Sequence, residues 1–539
     1  SSLRMKRPSS AVGAQGKRPK LSPRGKDDPL VWAANRRITA LAKKKKLAEA
    51  VEVLDELKAT GGQPTVHTYT ALVNACVRSG ATDSAKKYME EMCERGIAPN
   101  VVTMTAWLKG VCDSDDLTDG RALLYSMNNG SVEVNARTLN TFLRGCVRLG
   151  EVEYAVEAYR HFRAKGLYMD GSTIEYVVRL LVGALRLRDA QKIVSRVANK
   201  DAGYNAALYL LLAQGYAATD KVEEARAQLD KSRELLLEEV PASGTPSTDL
   251  FLKHRQKEMC REAEALAEVL RSGIPCKPAL KAVLSRQLFF RQKTVAKLSD
   301  DDVLSELSRA GLLGLGPKSR SLVLRRASRS CSKDGVVQVR KLLSSPTLPV
   351  KVEICTGAGD WIANHAKRDE GKACWVALEL RHDRCIQIAR RAVWSQLRNL
   401  LVLGGDAAAI VPSRLPRSLA THAYINFPEP PAWHQDEGVT GDHLLTAQFL
   451  KHVSQILVPG GRLYIVSDNK TYLITLAYSL NSLVGIFKEC KGKGGVPIVL
   501  GVPSGADTGL SGDFGESYFD RLWTAGKKKA RNHILLTVC

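Results

Sequence analysis

The sequence predicts a multidomain chain, an N-terminal all-α helical-repeat solenoid followed by an α/β doubly wound (Rossmann-like) domain. Three observations predict it. Thr68, Thr103, Thr138 and Thr173 recur every 35 residues, and Ala85, Gly120, Ala155 and Ala190 keep the same step. A strand-like run, Val350–Ile354, feeds a glycine-containing turn at 355–360 and then a helical segment. Beyond that turn, short apolar runs alternate with helical segments towards the C-terminus.

A 35-residue period marks stacked helix pairs, because a unit this short cannot bury its apolar face alone and shares it with its neighbours. Within a unit the spacing is helical. Leu72, Val73, Cys76 and Val77 make one face, and Ala85, Tyr88, Met89 and Met92 make the next. The turns at 78–80 and 148–150, each ending in glycine, separate the two helices. Units 66–100 and 135–170 are the most regular, the unit from 101 is more worn, 38–57 reads as a partial first unit and 203–237 as an irregular last one.

The phrase Glu91-Met92-Cys93-Glu94-Arg95-Gly96-Ile97-Ala98-Pro99-Asn100 resembles the closing phrase of the pentatricopeptide repeat family, and the likeness covers roughly residues 31–240. A tetratricopeptide-like, protein-binding stack is the alternative, but its 34-residue step fits the register less well. The resemblance implies binding of single-stranded RNA along a concave face, with two side chains per repeat reading one base. The positions it implies are Thr70 with Asn100 and Asn140 with Asp170, pairs that the family uses for adenine and uracil. Thr105 and Glu175 hold the first-reader place in less regular units. With so few regular repeats, contact with a structured or protein-bound RNA stands beside base-by-base reading.

Composition points the same way. Lys and Arg outnumber Asp and Glu by 79 to 56, a formal charge of +23, which favours a polyanionic partner. The densest basic run is Lys43, Lys44, Lys45 and Lys46, a candidate phosphate contact. The first 26 residues hold eight basic and no acidic side chains. Residues 1–30 are therefore expected to form a basic flexible arm, or the remainder of a transit segment, and the mitochondrion (matrix) is the expected location. Twelve cysteines occur without a Cys-x-x-Cys pair, so no zinc or iron–sulfur site is expected and a reducing compartment is the simpler assumption. No apolar run reaches membrane-spanning length, and no membrane partner is expected.

A Pro/Ser/Gly-containing stretch at 241–247 ends the solenoid. The segment 249–345 reads as a helical connector and a basic hinge; residues 249–311 are helical in pattern, either a continuation of the stack or a link, and Arg320, Arg325, Arg326, Arg329, Lys333 and Arg340 follow. The second domain is expected over 346–539. Its strands are read at Val350–Ile354, 374–378, 400–403, 424–427 and 462–466, with a late pair near 496–502 and 532–538. A strand entering a glycine turn and then a helix brings backbone amides close to a ligand at the carboxyl edge of the sheet. Glu379, at the end of the second strand, is suited to accept from ribose hydroxyls. A dinucleotide dehydrogenase is the alternative on the fold alone, although it calls for a tighter three-glycine turn.

The phrase Asn426-Phe427-Pro428-Glu429-Pro430 resembles the Asn-Phe-Pro-Asp-Pro-Trp of bacterial tRNA (guanine-N7-)-methyltransferases, over roughly residues 345–539. The resemblance implies S-adenosylmethionine as cofactor, with Glu353, Gly357 and Gly359 at the donor turn, Glu379 at its ribose, and Asp406 and Ala407 at its adenine. It implies Glu429, Asp468, Ser517 and Asp520 as the residues placing guanine. N7 of neutral guanine already carries a lone pair, so no strong base is needed and positioning supplies much of the rate.

The departures from the family are specific. Its first glycine is Cys355, its Asp is Glu429, its Thr is Ser467, and its last Glu is Asp520. Its basic stretch after the proline is replaced by residues 431–438, which carry Asp436 and Glu437. Loss of basic charge there weakens phosphate binding at that edge. The expected function is therefore RNA binding within mitochondrial ribosomal RNA particles, beside ribosomal or assembly-factor proteins and probing immature RNA, with a degenerate or weakly active methyltransferase-like domain. An active guanine-N7 methyltransferase of organellar tRNA or rRNA is the alternative.

Overall fold

The computed structural model describes residues 28–273 except 45, 115, 130–131, 198–201 and 238–245, then 276, 280, 287–290, 331–332, and 334–539 except 429–432, 435–437, 440–442, 493–494 and 516–529. Paired helices come first: α1 (Pro29–Lys43) with α2 (Leu47–Ala59), α3 (Val66–Arg78) with α4 (Thr82–Glu94), and α5 (Val101–Cys112) with α6 (Thr118–Asn129). Then follow α7 (Ala136–Leu149) with α8 (Val152–Ala164), α9 (Gly171–Gly183) with α10 (Leu187–Val194), and α11 (Ala202–Ala218) with α12 (Val222–Leu237). The segment read as a partial first unit is thus a full helix pair. A long helix, α13 (Pro246–Ser272), closes the stack.

The threonine period has a hydrogen-bonding cause. Thr103, Thr138 and Thr173 are fully buried. Each hydroxyl meets the side chain that caps its own helix, Asn100, Asn135 or Asp170. Each also meets a residue of the preceding odd-numbered helix: Thr70 Oγ1 at 2.6 Å, Thr105 Oγ1 at 2.7 Å and Asn140 Oδ1 at 2.7 Å. A buried hydroxyl needs such partners, and these bonds lock successive units into register. The small-residue period marks close packing of paired helices. Ala85, Ala155 and Ala190 are fully buried, and a Cβ on Gly120 would lie 2.9 Å from Cys112 Sγ.

The second domain holds β2 (Val350–Ile354), α14 (Asp360–Arg368), β3 (Cys374–Glu379), α15 (His382–Trp394), β4 (Leu400–Gly405), α16 (Ala407–Arg414) and β5 (Ala420–Asn426). After a short hairpin, β6 (Trp433–His434) with β7 (Gly438–Val439), come α17 (Ala447–Ile456), β8 (Leu457–Ser467), α18 (Lys470–Ser479), β9 (Ile498–Leu500) and β10 (Asn532–Thr537). A further strand, β1 (Gln287–Phe290), pairs parallel with β4 at the edge. The segment expected to be helical up to 311 therefore contributes a strand, and the sheet draws on chain upstream of 346. The order β1-β4-β3-β2-β5-β8-β10-β9 is parallel through β8, with β10 antiparallel between β8 and β9. The order reverses at β2, so the crevice beyond the carboxyl ends of β2 and β5 is the expected ligand position of such a sheet.

The two units meet through α15. Trp394, at its end, packs against the core of the solenoid. Gly150, left-handed at φ 73°, sits so near α15 that an added Cβ would lie 2.6 Å from the His382 ring. Gly80, its counterpart two repeats earlier, has φ 75° and nothing within 4 Å of such a Cβ. Gly80→Ala is therefore expected to cost only the backbone strain of about 1 kcal/mol, whereas Gly150→Ala adds the clash and costs roughly 1–2 kcal/mol more. Denaturant midpoints of the two variants check this, and equal losses would contradict the docking.

Candidate active site and nucleic-acid interface

The parallel strands bring the predicted donor residues to one edge. Glu353, near the end of β2, is buried, and its Oε1 accepts from Asn426 Nδ2 at 2.8 Å. Its Oε2 is buried without a hydrogen-bond partner. Burial, with Asp360 and Glu379 nearby, pushes this carboxyl well above the usual range despite Asn426. The turn after β2 carries three left-handed residues: Cys355 at φ 63°, Gly357 at 66° and Gly359 at 78°. Gly359 has a packing reason to lack a side chain, because a Cβ would lie 2.4 Å from Ile388 on α15. Cys355 pays for the same backbone shape with a side chain that L residues rarely carry there.

Glu379 closes over this turn. Its Oε2 accepts from the Gly357 amide at 2.7 Å and its Oε1 from the Arg381 amide at 3.0 Å. Burial nevertheless raises its carboxyl above the ordinary value, against the pull of Arg384 and these two amides. Asp406 begins α16 as its cap, Oδ1 accepting from the Ala408 amide at 2.9 Å, and Ala407 beside it is buried. At the β5 end Phe427 is also left-handed, φ 50°, and its amide donates to Val466 O at 2.8 Å. That bend turns the chain out of the sheet just ahead of Pro428 and Glu429.

These residues fit an S-adenosylmethionine-type donor. Glu353 offers a buried carboxyl oxygen that a cation would draw into its ionised form, Gly357 leaves open space above the turn, and Glu379 retains acceptor capacity beyond its two amide bonds. Cys355 narrows the fit: the residue is exposed at the turn while its thiol faces Glu379 and Glu353, and desolvation with these two carboxylates raises it above the usual range and keeps it neutral.

Of the residues expected to place guanine, Asp468 follows β8 directly and is partly exposed at this same edge. Glu429, Ser517 and Asp520 lie outside the described residues. Tyr472, which stands where the resembled methyltransferases carry a tyrosine four residues beyond the Asp matched by Asp468, has its OH 3.0 Å from His443 Nε2. Trp361 Nε1 and His365 Nε2 both reach Phe514 O, at 2.6 and 3.0 Å, and so anchor the chain just before Ser517. The aromatic residues in 361–375 read only as helix and strand filler in the sequence.

On the solenoid, the first-reader positions fall at equivalent places on α3, α5, α7 and α9. Thr70 and Thr105 join the threonine ladder, and Asn140 also donates through Nδ2 to both carboxylate oxygens of Asp170, at 2.9 and 2.8 Å. Asn100 and Asp170, the second readers, serve as helix caps as well. Burial opposes ionisation of Asp170, but Asn140 and the Thr173 bonds outweigh it and hold its carboxyl below the usual range. Glu175 departs from the expected role. Its carboxylate is gripped by Arg179 at 2.5 Å and Arg255 of α13 at 3.0 Å, so it braces the end of the stack and is not free to read a base. Lys46 likewise departs, being paired with Glu49 on the next helix, while Lys43 and Lys44 remain exposed and Lys45 lies outside the described residues.

Residues 347–489 match the family described as "Putative methyltransferase", and residues 29–78, 66–113 and 137–167 match PPR repeats. The chain is 26% identical over 180 residues to a tRNA (guanine-N(7)-)-methyltransferase of Chlamydia caviae, a match covering 32% of this chain and 70% of that protein. It is 24% identical over 278 residues to a chloroplastic pentatricopeptide repeat-containing protein of Arabidopsis thaliana, covering 47% of this chain and 35% of that one. Among solved structures it is similar to the pentatricopeptide repeat protein PPR10 from maize, at 19% identity and a TM-score of 0.32, over 56% of this chain and 47% of that chain. The chain thus spans about half the length of that structure. It joins pentatricopeptide repeats to a methyltransferase domain similar to tRNA (guanine-N(7)-)-methyltransferases.

Proposed function

We propose that this chain, pentatricopeptide repeats joined to a methyltransferase-like domain, is a mitochondrial RNA-binding protein. In this reading it acts on ribosomal RNA particles during assembly of the organellar ribosome, and its donor site is weak or vestigial. The observation that carries the weak-donor reading is the turn after β2, where Cys355 holds a left-handed position, φ 63°, that the resembled family gives to glycine. The bonds from Glu379 to the Gly357 and Arg381 amides support it, because they occupy part of the acid that a ribose would need. The charge of +23 supports an RNA partner, and the acidic replacement at 431–438 favours an RNA delivered by the repeats over free tRNA gripped at that edge.

S-adenosylmethionine, when bound, supplies an electrophilic methyl group. This chain's own part is positional: Glu353 faces the donor turn, Glu379 and Asp406 stand at its rim, and Asp468 is an acceptor for the guanine edge. A second reading, an active guanine-N7 methyltransferase of organellar tRNA or rRNA, is favoured by one observation, the unbonded buried Oε2 of Glu353. An acid kept in that state beneath the turn suits a site still built for a cationic donor.

Calorimetric titration with S-adenosylmethionine separates the readings when repeated on Cys355→Gly and Glu379→Ala. A worn but genuine site gives weak binding to the natural chain, roughly tenfold tighter binding to Cys355→Gly and no measurable binding to Glu379→Ala. Silence from all three proteins removes the cofactor from the proposal. Sedimentation of the tagged protein with mitochondrial ribosomal particles tests the placement, and recovery only in fractions free of rRNA would overturn it. Mapping of N7-methylguanosine after depletion tests turnover, an unchanged map counting against the active-enzyme reading.

A further inference from the structure

Where the solenoid meets α15 lies an open cavity of about 330 Å³, walled by α9, α11, α13 and α15. Four arginines line it, with Glu175, Glu258 and Glu262. Three of the arginines have carboxylate partners: Arg179 and Arg255 share Glu175 at 2.5 and 3.0 Å, and Arg391 faces Glu262 at 3.6 Å. Glu258 is paired with Arg261 at 2.8 Å. Arg390 is the exception. Among the described residues its side-chain hydrogen bond runs to the neutral Gln214 Oε1 at 3.0 Å, while the Gln214 amide nitrogen donates to Glu262 at 3.0 Å.

A guanidinium carries five N–H donors, and Arg390 gives one of them to Gln214 and turns the rest towards the water of the open cavity. Burial and the neighbouring Arg179 pull Arg390 down to about 10, only partly offset by Glu262. An apolar residue would satisfy this wall of α15 better if the cavity served packing alone. An anion with several acceptor oxygens would replace that water with charge-assisted bonds, and guanidinium suits phosphate in geometry as well as charge.

The cavity's position narrows the ligand. Glu175 stands in the first-reader place of α9, in line with Thr70, Thr105 and Asn140 on the earlier helices, so the cavity lies where the line of reading positions ends. α15 also reaches the donor turn: Arg391 Nε donates to Ala358 O at 3.1 Å and Ile388 packs on Gly359. An RNA strand running from the repeats to the methyltransferase-like domain would pass this point.

We infer that the junction cavity is a phosphate-binding site in which Arg390, backed by Arg179, takes one phosphate group at the exit of the RNA-reading face. This rests on the RNA-binding reading for the identity of the phosphate but not for the existence of the site. The test therefore has two arms, run on the full chain and on Arg390→Gln and Arg390→Lys. In the first arm, thermal midpoints are compared in inorganic phosphate and in chloride at equal ionic strength. The natural chain is expected to gain a phosphate-dependent rise beyond that of Arg390→Gln, with Arg390→Lys between them, as linkage requires of a ligand bound only by the folded state. In the second arm, affinity for a short single-stranded RNA is measured against salt. Arg390→Gln is expected to bind about tenfold more weakly, with the salt slope shallower by about one.

Loss in both arms assigns the phosphate to the RNA backbone. Loss in the phosphate arm alone keeps the site and assigns it to a free phosphate-bearing ligand. Failure of the natural chain to bind RNA at all would sink the RNA reading while the phosphate arm still judged the site. An identical phosphate response in all three proteins, with unchanged RNA affinity, overturns the inference.

Discussion

Asp369→Ala is expected to destabilise the methyltransferase-like domain by about 3–5 kcal/mol, the usual consequence of removing one member of a buried ion pair. Asp369 and Lys351 meet at 2.5 Å, with side chains only 1% and 7% exposed, beneath the ring of Trp375. Trp375 Nε1 donates to the same carboxylate oxygen at 2.9 Å. Without the carboxylate, the ammonium of Lys351, on central strand β2, is left in the core with no counter-charge, and the indole loses its acceptor. Replacing both partners, as in Lys351→Met with Asp369→Leu, removes the stranded charge and is expected to recover most of the loss. Denaturant unfolding of the single and double variants measures this, and a double variant as unstable as Asp369→Ala would contradict the account. Burial opposes the Asp369 charge, but Lys351, Ser511 and Trp375 outweigh it and hold the carboxyl below its ordinary range. Its stabilisation is therefore complete above the ordinary carboxylate pKa and fades as pH falls through the lower, folded value.

Much of the architecture is legible in the sequence because local pattern and tertiary need coincide. The repeats are readable since Thr103, Thr138 and Thr173 are each spent on the same two bonds, one to their own cap and one to the preceding unit. β3 and β4 are readable since their residues are buried and largely apolar runs of that length have few other uses, and β2 is readable because it runs directly into the glycine turn. β1 escapes notice for the opposite reason. Gln287–Phe290 is four residues long, follows a helical pattern, and owes its strand form to the free edge of β4.

The candidate site divides in the same manner. Glu353, Gly357, Glu379 and Asp406 sit next to strands or turns whose form fixes them, so position in sequence predicts position in space. Glu175 carries a reader's address, but its neighbour Arg255 comes from 80 residues away, and no periodicity encodes that contact. The same holds for Arg390 with Gln214, 176 residues apart. The junction between the two units is thus invisible to motif reading: it is written in single side chains of α15 whose partners belong to another domain.

Acid should loosen the methyltransferase-like domain before it denatures the solenoid, because His365 and His422 are held neutral within it. Burial depresses both imidazoles to about 4, with Arg368 and Lys351 adding to the effect at His365 and Lys351 and Arg462 at His422. Asp369 and the Phe514 carbonyl work against it at His365, as Asp507 does at His422. With a folded value near 4 and an ordinary value near 6.5, each histidine contributes fully above pH 6.5. Between the two values the unfolded chain binds the extra proton, so stability falls as pH falls, by at most about 3 kcal/mol for each group. His365 Nε2 is engaged by Phe514 O, whereas Nδ1 is buried without a partner, so the incoming proton would place a charge against Trp361 and Trp375. Thermal midpoints of the natural chain and of His365→Gln, taken from about pH 7.5 to about pH 4, test this. The amide of Gln can still donate to Phe514 O but cannot charge, so its profile should be flatter by the share of one histidine; parallel profiles would refute the assignment. The protonated ring keeps its Nε2 bond to Phe514 O, so donor or RNA binding on acidification should decline only with unfolding of this domain, in step with the midpoint.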